Sequence, residues 1–125
     1  MGNIKPTKDQ MTRFLETPIE GPVHMLNLLK FTRSEGGSSG KSQYGDYGSA
    51  VIRMIEERGG KVVWSGRPFA ALIGDEHDEW DMAVIIEYPS KDAFIEMTSN
   101  PNYAKISGDR TDSLANSALI PCRPV

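Results

Sequence analysis

Asn27 is the residue whose type and place most suggest chemistry. It sits at the centre of Val23-His24-Met25-Leu26-Asn27-Leu28-Leu29-Lys30-Phe31, an apolar run preceded by Gly21-Pro22. A buried amide must place two N–H donors and a carbonyl oxygen, and leaving one unpaired costs about 1–3 kcal/mol. A strand built for stability alone is better served by Leu or Val. Two readings follow: a pocket-lining amide that orients a carbonyl or phenol oxygen, or an amide satisfied by nearby backbone. Tyr44 and Tyr47, one helical turn apart, present apolar rings with polar tips. Such rings suit a small aromatic ligand, and equally a core near a helix start. Trp64 and Trp80 read the same way. Arg110 follows Tyr103 by two turns. Its guanidinium could bind a carboxylate or stabilise an enolate, or pair with an acid at the surface. The candidate set is Asn27 and Arg110 in catalytic roles, with Tyr44, Tyr47, Trp64, Trp80 and Tyr103 around a substrate.

Other chemistry is poorly supplied. The histidines are His24 and His77. His77 lies in Asp75-Glu76-His77-Asp78-Glu79, where the possible ligands are consecutive on a turn, without the spacing of a metal site. His24 sits near one end of the apolar run, where a satisfied interface histidine is the simpler reading than a general base. Cys122 has no evident base beside it. The chain carries no GxGxxG or P-loop motif. The expectation is a protein without metal or cofactor.

The elements that must position these residues are legible. Thr7-Lys8-Asp9-Gln10 has the form of a capping box, predicting a helix over 8–16. Gly21-Pro22 leads into the apolar run, which is apolar on both parities and so reads as a strand covered on both faces. Ser34 to Lys41 is a Gly/Ser-rich connection, either a bland loop or a lid. Ser42 can cap a helix reaching Arg58, stopped by Gly59-Gly60. Lys61 to Gly66 begins a strand that could continue past Pro68 to Ile73, the proline marking an edge or a bulge. Trp80 to Tyr88 is a further strand, and the short connection predicts an antiparallel hairpin. Ser90 caps a third helix, Asn100-Pro101 starts a fourth, and residues 118–122 form a last strand.

After the leading helix the order is β-α-β-β-α-β, the ferredoxin-like arrangement of the α+β class, with an antiparallel four-stranded sheet. The expected organisation is one domain over 1–125, with its core at about 21–121. Parity separates the sheet's faces. Val23, Met25, Asn27, Leu29 and Phe31 share a face with Trp80, Met82, Val84, Ile86 and Tyr88, which the helices should cover. The opposite face holds Leu26, Leu28, Ala83 and Ile85 between polar ends. Left in water it would be a sizeable apolar patch, so a homodimer through the sheet faces is expected.

Several of these groups together resemble the family called domain of unknown function 1330, within the dimeric α/β-barrel superfamily. They are Val23 to Phe31, the Tyr44/Tyr47 pair, Gly59-Gly60 with Trp64-Ser65-Gly66, Glu79-Trp80-Asp81, Tyr88-Pro89-Ser90, and Tyr103 with Arg110. The resemblance covers about Gly21 to Pro121. It implies a ferredoxin-like fold and a homodimer whose two sheets form a barrel. Relatives in that superfamily include cofactor-independent monooxygenases, haem-degrading enzymes, chlorite dismutase-like proteins, muconolactone isomerase and stress-induced proteins. The leading helix and the Gly/Ser loop depart from the compact pattern.

Bulk properties bound the function. The chain has 125 residues and a net charge of −3, with a pI of about 5.4. That argues against nucleic acid, which wants a clustered basic excess. No run is long enough to span a membrane, the first ten residues lack a signal-peptide core, and one cysteine precludes an intrachain disulfide, so a cytoplasmic place is expected. Two functions remain: a cofactor-independent small-molecule enzyme, monooxygenase- or isomerase-like, acting on an aromatic or keto-enol compound, and a non-catalytic binding or assembly module with the same pocket.

Overall fold

The structure is a computed structural model that describes residues 2–33, 40–75 and 79–125. The elements run α1 (Lys8–Glu16), β1 (Val23–Phe31), α2 (Gly40–Glu57), β2 (Lys61–Gly66), β3 (Met82–Tyr88), α3 (Lys91–Ser99), α4 (Pro101–Ser113) and β4 (Leu114–Cys122). The four strands form one sheet in the order β2-β3-β1-β4, every pairing antiparallel. This is the expected ferredoxin-like α+β architecture, with β1 and β3 inside and β2 and β4 at the edges.

The local signals act as the sequence suggests. The Gln10 amide donates to Thr7 Oγ1 at 3.1 Å, and the Thr7 amide to Gln10 Oε1 at 2.9 Å, closing the capping box of α1. At the other end, Lys91 Nζ donates to the carbonyls of Phe14, Leu15 and Thr17 at 3.2, 2.9 and 2.7 Å. A cation on the last carbonyls of a helix satisfies orphan acceptors and opposes the negative end of its dipole. At the end of α2, the Gly60 amide reaches back to Ile55 O at 2.9 Å and the Gly59 amide to Glu56 O at 3.0 Å. Gly59 has φ +83°, so this is a glycine-closed helix end. A Cβ on Gly60 would lie 2.6 Å from Glu87 O, which brings α2 close against the start of the β2–β3 hairpin.

Four boundaries differ from expectation. α2 starts at Gly40, so Ser42 lies inside the helix and does not cap it. β2 ends at Gly66 and does not continue to Ile73. Pro68 has no N–H for a ladder, and the register has already slipped between Val62 and Trp64. β3 starts at Met82, leaving Trp80 ahead of it. Asp81 ends the ladder instead: its Oδ2 accepts from the Phe31 amide at 2.9 Å and its Oδ1 from Arg33 Nη2 at 2.7 Å. β4 begins at Leu114, directly after α4, earlier than residue 118. The lid reading of the Gly/Ser connection falls on 34–39, outside the described residues.

The sheet's faces separate as parity requires. On the helix side, Val23, Met25 and Tyr88 pack with Tyr47, Val51, Ile55 and Met97 in one cluster. Leu29, Phe31 and Leu114 form a second. On the other side the cross-strand register lines up Trp64, Ile85, Leu26 and Ile120 as one rung. Gly66, Ala83, Leu28 and Ala118 form the next. Lys61, Glu87, His24 and Cys122 form a polar rung at one end, where His24 Nε2 lies 3.0 Å from Glu87 Oε1. The helices all lie across the opposite face.

Candidate functional site

The candidate site is built where α2 starts, where α4 ends, and on the centre of β1. The Gly40 amide donates to Thr32 O at 2.7 Å, and a Cβ on Gly40 would fall 2.1 Å from Ser113 O. Only glycine lets α2 start this close to the end of α4. Tyr44 and Tyr47, on the first turns of α2, then turn toward the sheet. The Tyr44 ring lies 5.5 Å from Phe31 and 5.3 Å from Tyr47. The Tyr47 ring lies 6.2 Å from Tyr103 at 80°, and the two hydroxyls are hydrogen-bonded at 2.9 Å.

Arg110 joins this group from α4. Its charge lowers the pKa values of both Tyr44 and Tyr47 against a larger opposing effect of burial. One end of its guanidinium is anchored, Nη1 donating to Ile4 O at 2.9 Å. Burial pushes Tyr44 up from 10.0 to about 12. Burial, then Tyr103, raises Tyr47 further. The two buried phenols are therefore neutral hydrogen-bond groups at ordinary pH, poor as bases, and the cation is the arginine. Neutral phenols beside a guanidinium can hold a carboxylate, phenolate or enolate oxygen.

Asn27 lies on the helix side of β1, between the two apolar clusters, and is 8% exposed. Tyr44 packs against both clusters. Asn27 Nδ2 donates to Met25 O at 3.1 Å and, more weakly, to Val84 O at 3.5 Å. Its amide thus has backbone partners, and among the described residues none donates to Oδ1.

The structure brings Tyr44, Tyr47, Tyr103 and Arg110 together, with Asn27 on the strand side of the same layer. It does not bring in Trp64, which stands opposite Ile85 on the other face of the sheet and is 53% exposed. Trp80 is half-buried ahead of β3 and belongs to neither core cluster. A groove of about 410 Å³ lies elsewhere, between the end of α2 and β2, lined by Ile52, Ile55, Gly59, Gly60 and Val62 among others. His77 is outside the described residues. Among the described residues no three His, Cys, Asp or Glu are placed to hold a metal, and no helix is long and apolar enough to cross a membrane.

Sequence reasoning missed Gln43 and Asp109. Gln43 Nε2 donates to Asp109 Oδ1 at 3.2 Å, one residue along each helix from Tyr44 and Arg110. Asp109 is the carboxylate nearest in sequence to the site's cation. The signal was present only as two polar residues adjoining the singled-out pair, because nothing local sets the register of α2 against α4.

An antiparallel sheet in this order with helices on one face defines the ferredoxin-like class. A dabb family protein with a ferredoxin-like fold from Mesorhizobium loti shares it at TM-score 0.58 and 12% identity, over 85% of this chain and 99% of that one. A dimeric ferredoxin-like protein of unknown function from Jannaschia does so at TM-score 0.61 and 10% identity, over 83% and 100%. A much nearer likeness is the RPA0582 protein of unknown function from Rhodopseudomonas palustris, with TM-score 0.90 and 37% identity, over 100% and 98%. The profile of the domain of unknown function 1330 matches residues 38–121, and the chain belongs to that family. No curated protein matches it.

Proposed function

We propose that this protein is a homodimer that binds a small aromatic or keto-enol compound at the α2–α4 seam and acts on it without a cofactor, as a monooxygenase- or isomerase-like enzyme. The observation that carries the reading is the convergence of the Tyr44, Tyr47 and Tyr103 side chains with Arg110. Three phenols from two helices meet over an apolar sheet, and the charge of Arg110 acts on Tyr44 and Tyr47. The phenols supply neutral donors, Arg110 supplies the positive charge that an enolate or phenolate oxygen needs, and Asn27 Oδ1 supplies an acceptor. Trp80 and Trp64 have no part in this seam, and they stay outside the proposed roles.

The dimer is inferred from the outer sheet face. Two rungs of apolar residues cross four strands there, with a polar rung at one end. The fold neighbour from Jannaschia is described as dimeric. A cytoplasmic place fits the single cysteine.

A second reading, a non-catalytic binding module, has its own support. The Asn27 amide already has backbone partners, and the raised phenols offer no base. Thermal-shift and calorimetric titration with phenols, lactones and keto acids tests both. A true ligand raises Tm with concentration by mass action. Arg110→Lys and Tyr47→Phe should weaken that binding at least tenfold in a folded protein. Turnover of the bound compound selects the enzyme, and binding without turnover selects the module. Binding indifferent to both substitutions refutes the site.

A further inference from the structure

β2 and the segment that follows it present apolar side chains that the chain itself does not cover. Phe69 is 97% exposed, Leu72 98% and Ile73 94%. Single exposed apolar residues are ordinary, but three large ones almost wholly in water within five positions are not. Before them, Val62, Val63 and Trp64 are 38%, 45% and 53% exposed. Among the described residues no hydrogen bond ties 67–75 to the body of the protein.

Trp64 carries the outer sheet face to the base of the arm over 67–75. A Cβ placed on Gly66 would lie 2.6 Å from Trp64 Cζ2, so the indole lies over Gly66, beside Ala83. It forms one end of the rung that runs through Ile85 and Leu26 to Ile120. The apolar sheet face therefore reaches the end of β2 at Trp64, and the arm follows directly in sequence.

We infer that the arm over 67–75 docks on a second copy of this chain, with Phe69, Leu72 and Ile73 buried against the partner. This rests on the homodimer of the preceding reading and extends it. Area favours it. At about 150–200 Å² for a large side chain, the three arm residues and half of Trp64 offer roughly 600 Å² per protomer. A standard interface buries about 800 Å² per partner. Charge disfavours a membrane or nucleic acid. Asp75 ends the arm and Glu76, Asp78 and Glu79 follow it directly in a chain of net charge −3, and anionic lipid or phosphate would repel them. A second copy carries the same apolar surface, which a two-fold axis makes self-complementary.

The test uses the full chain. A photo-crosslinking phenylalanine analogue at position 69, in a mixture of two differently tagged chains, should give covalent dimers carrying both tags. Crosslinks confined to single chains overturn the inference. In sedimentation, Leu72→Asp with Ile73→Asp should weaken the dimer at least tenfold while Tm and circular dichroism of the monomer hold, because the arm makes no packing contribution to its own fold. Leu28→Asp separates this from the sheet-face reading. If Leu28→Asp splits the dimer and the arm variant does not, the arm inference falls and the sheet-face dimer stands. If the arm variant splits it and Leu28→Asp does not, the arm inference stands without the sheet-face dimer. A monomeric parent chain at tens of micromolar overturns both. Binding to phosphatidylcholine–phosphatidylserine vesicles that the arm variant loses, with dimerisation unchanged, assigns the arm to lipid and overturns the inference.

Discussion

β1 and β2 belong to the same sheet and both carry runs of large apolar residues, yet they meet opposite environments. Every position of β1 is buried or half-buried. The first five positions of β2 are exposed. The difference is placement. β1 has a strand on each side and α2 across it, so both its edges and one face are covered. β2 is an edge strand, broken in register at Val62–Trp64 and followed by a proline. Apolar content alone does not bury a strand; neighbours do, and an exposed apolar edge is a template for association. The seam of tyrosines lies on the side of the covered strand. The surface suited to a partner lies on the side of the uncovered one.

The largest expected effect tests that contrast at its core. Leu29 is 0% exposed, and Leu29→Ala should cost about 2–5 kcal/mol of monomer stability in urea unfolding, through lost burial and the cavity left behind. Val63→Ala, at an exposed position of β2, should cost less than about 0.5 kcal/mol in the same assay. Equal losses at the two positions would mean that β2 is covered in the unfolding species, as in a dimer that dissociates only on unfolding.

A smaller effect should appear at alkaline pH, because the covered side holds the buried phenols. Tyr44 is raised from 10.0 to about 12 by burial, and burial also raises Tyr47 and Tyr88. A group whose pKa is higher folded than unfolded stabilises the fold fully below its unfolded pKa and loses that contribution as pH rises through the folded one. Tyr44 should thus contribute about 2–3 kcal/mol below pH 10 that is lost as pH climbs toward about 12. Tyr44→Phe should flatten the fall of unfolding free energy over that window. An unchanged pH slope would show that the phenol is not buried in solution.

The smallest effect on stability is expected at Asn27, and it bears most on function. Asn27→Leu removes the amide's bonds to Met25 O and Val84 O together with the cost of burying it. Its stability should stay within about 1 kcal/mol of the parent, on either side. Any small compound that the protein binds should be lost in the same variant. A loss of more than about 2 kcal/mol with binding intact would make Asn27 a purely structural residue.

The sequence by itself determined the elements and their faces. The capping box at Thr7, the glycine stop at Gly59-Gly60, the Ser90 and Asn100 caps and the period-two alternation of β1 are local or short-range signals. They are read from a few residues because they depend on a few residues. Family membership was legible for a similar reason, since a handful of motifs in order carries it. What only the tertiary structure decided is which residues meet across elements. It set the register of α2 against α4, which joins the Tyr47 and Tyr103 hydroxyls and draws Gln43 to Asp109. It also put Trp64 on the face opposite Asn27, because a slip between Val62 and Trp64 restarts the alternation that sequence parity assumes unbroken. And it left Phe69, Leu72 and Ile73 in water, because a strand that the apolar pattern would prolong stops where its next ladder hydrogen bonds have no donor at Pro68.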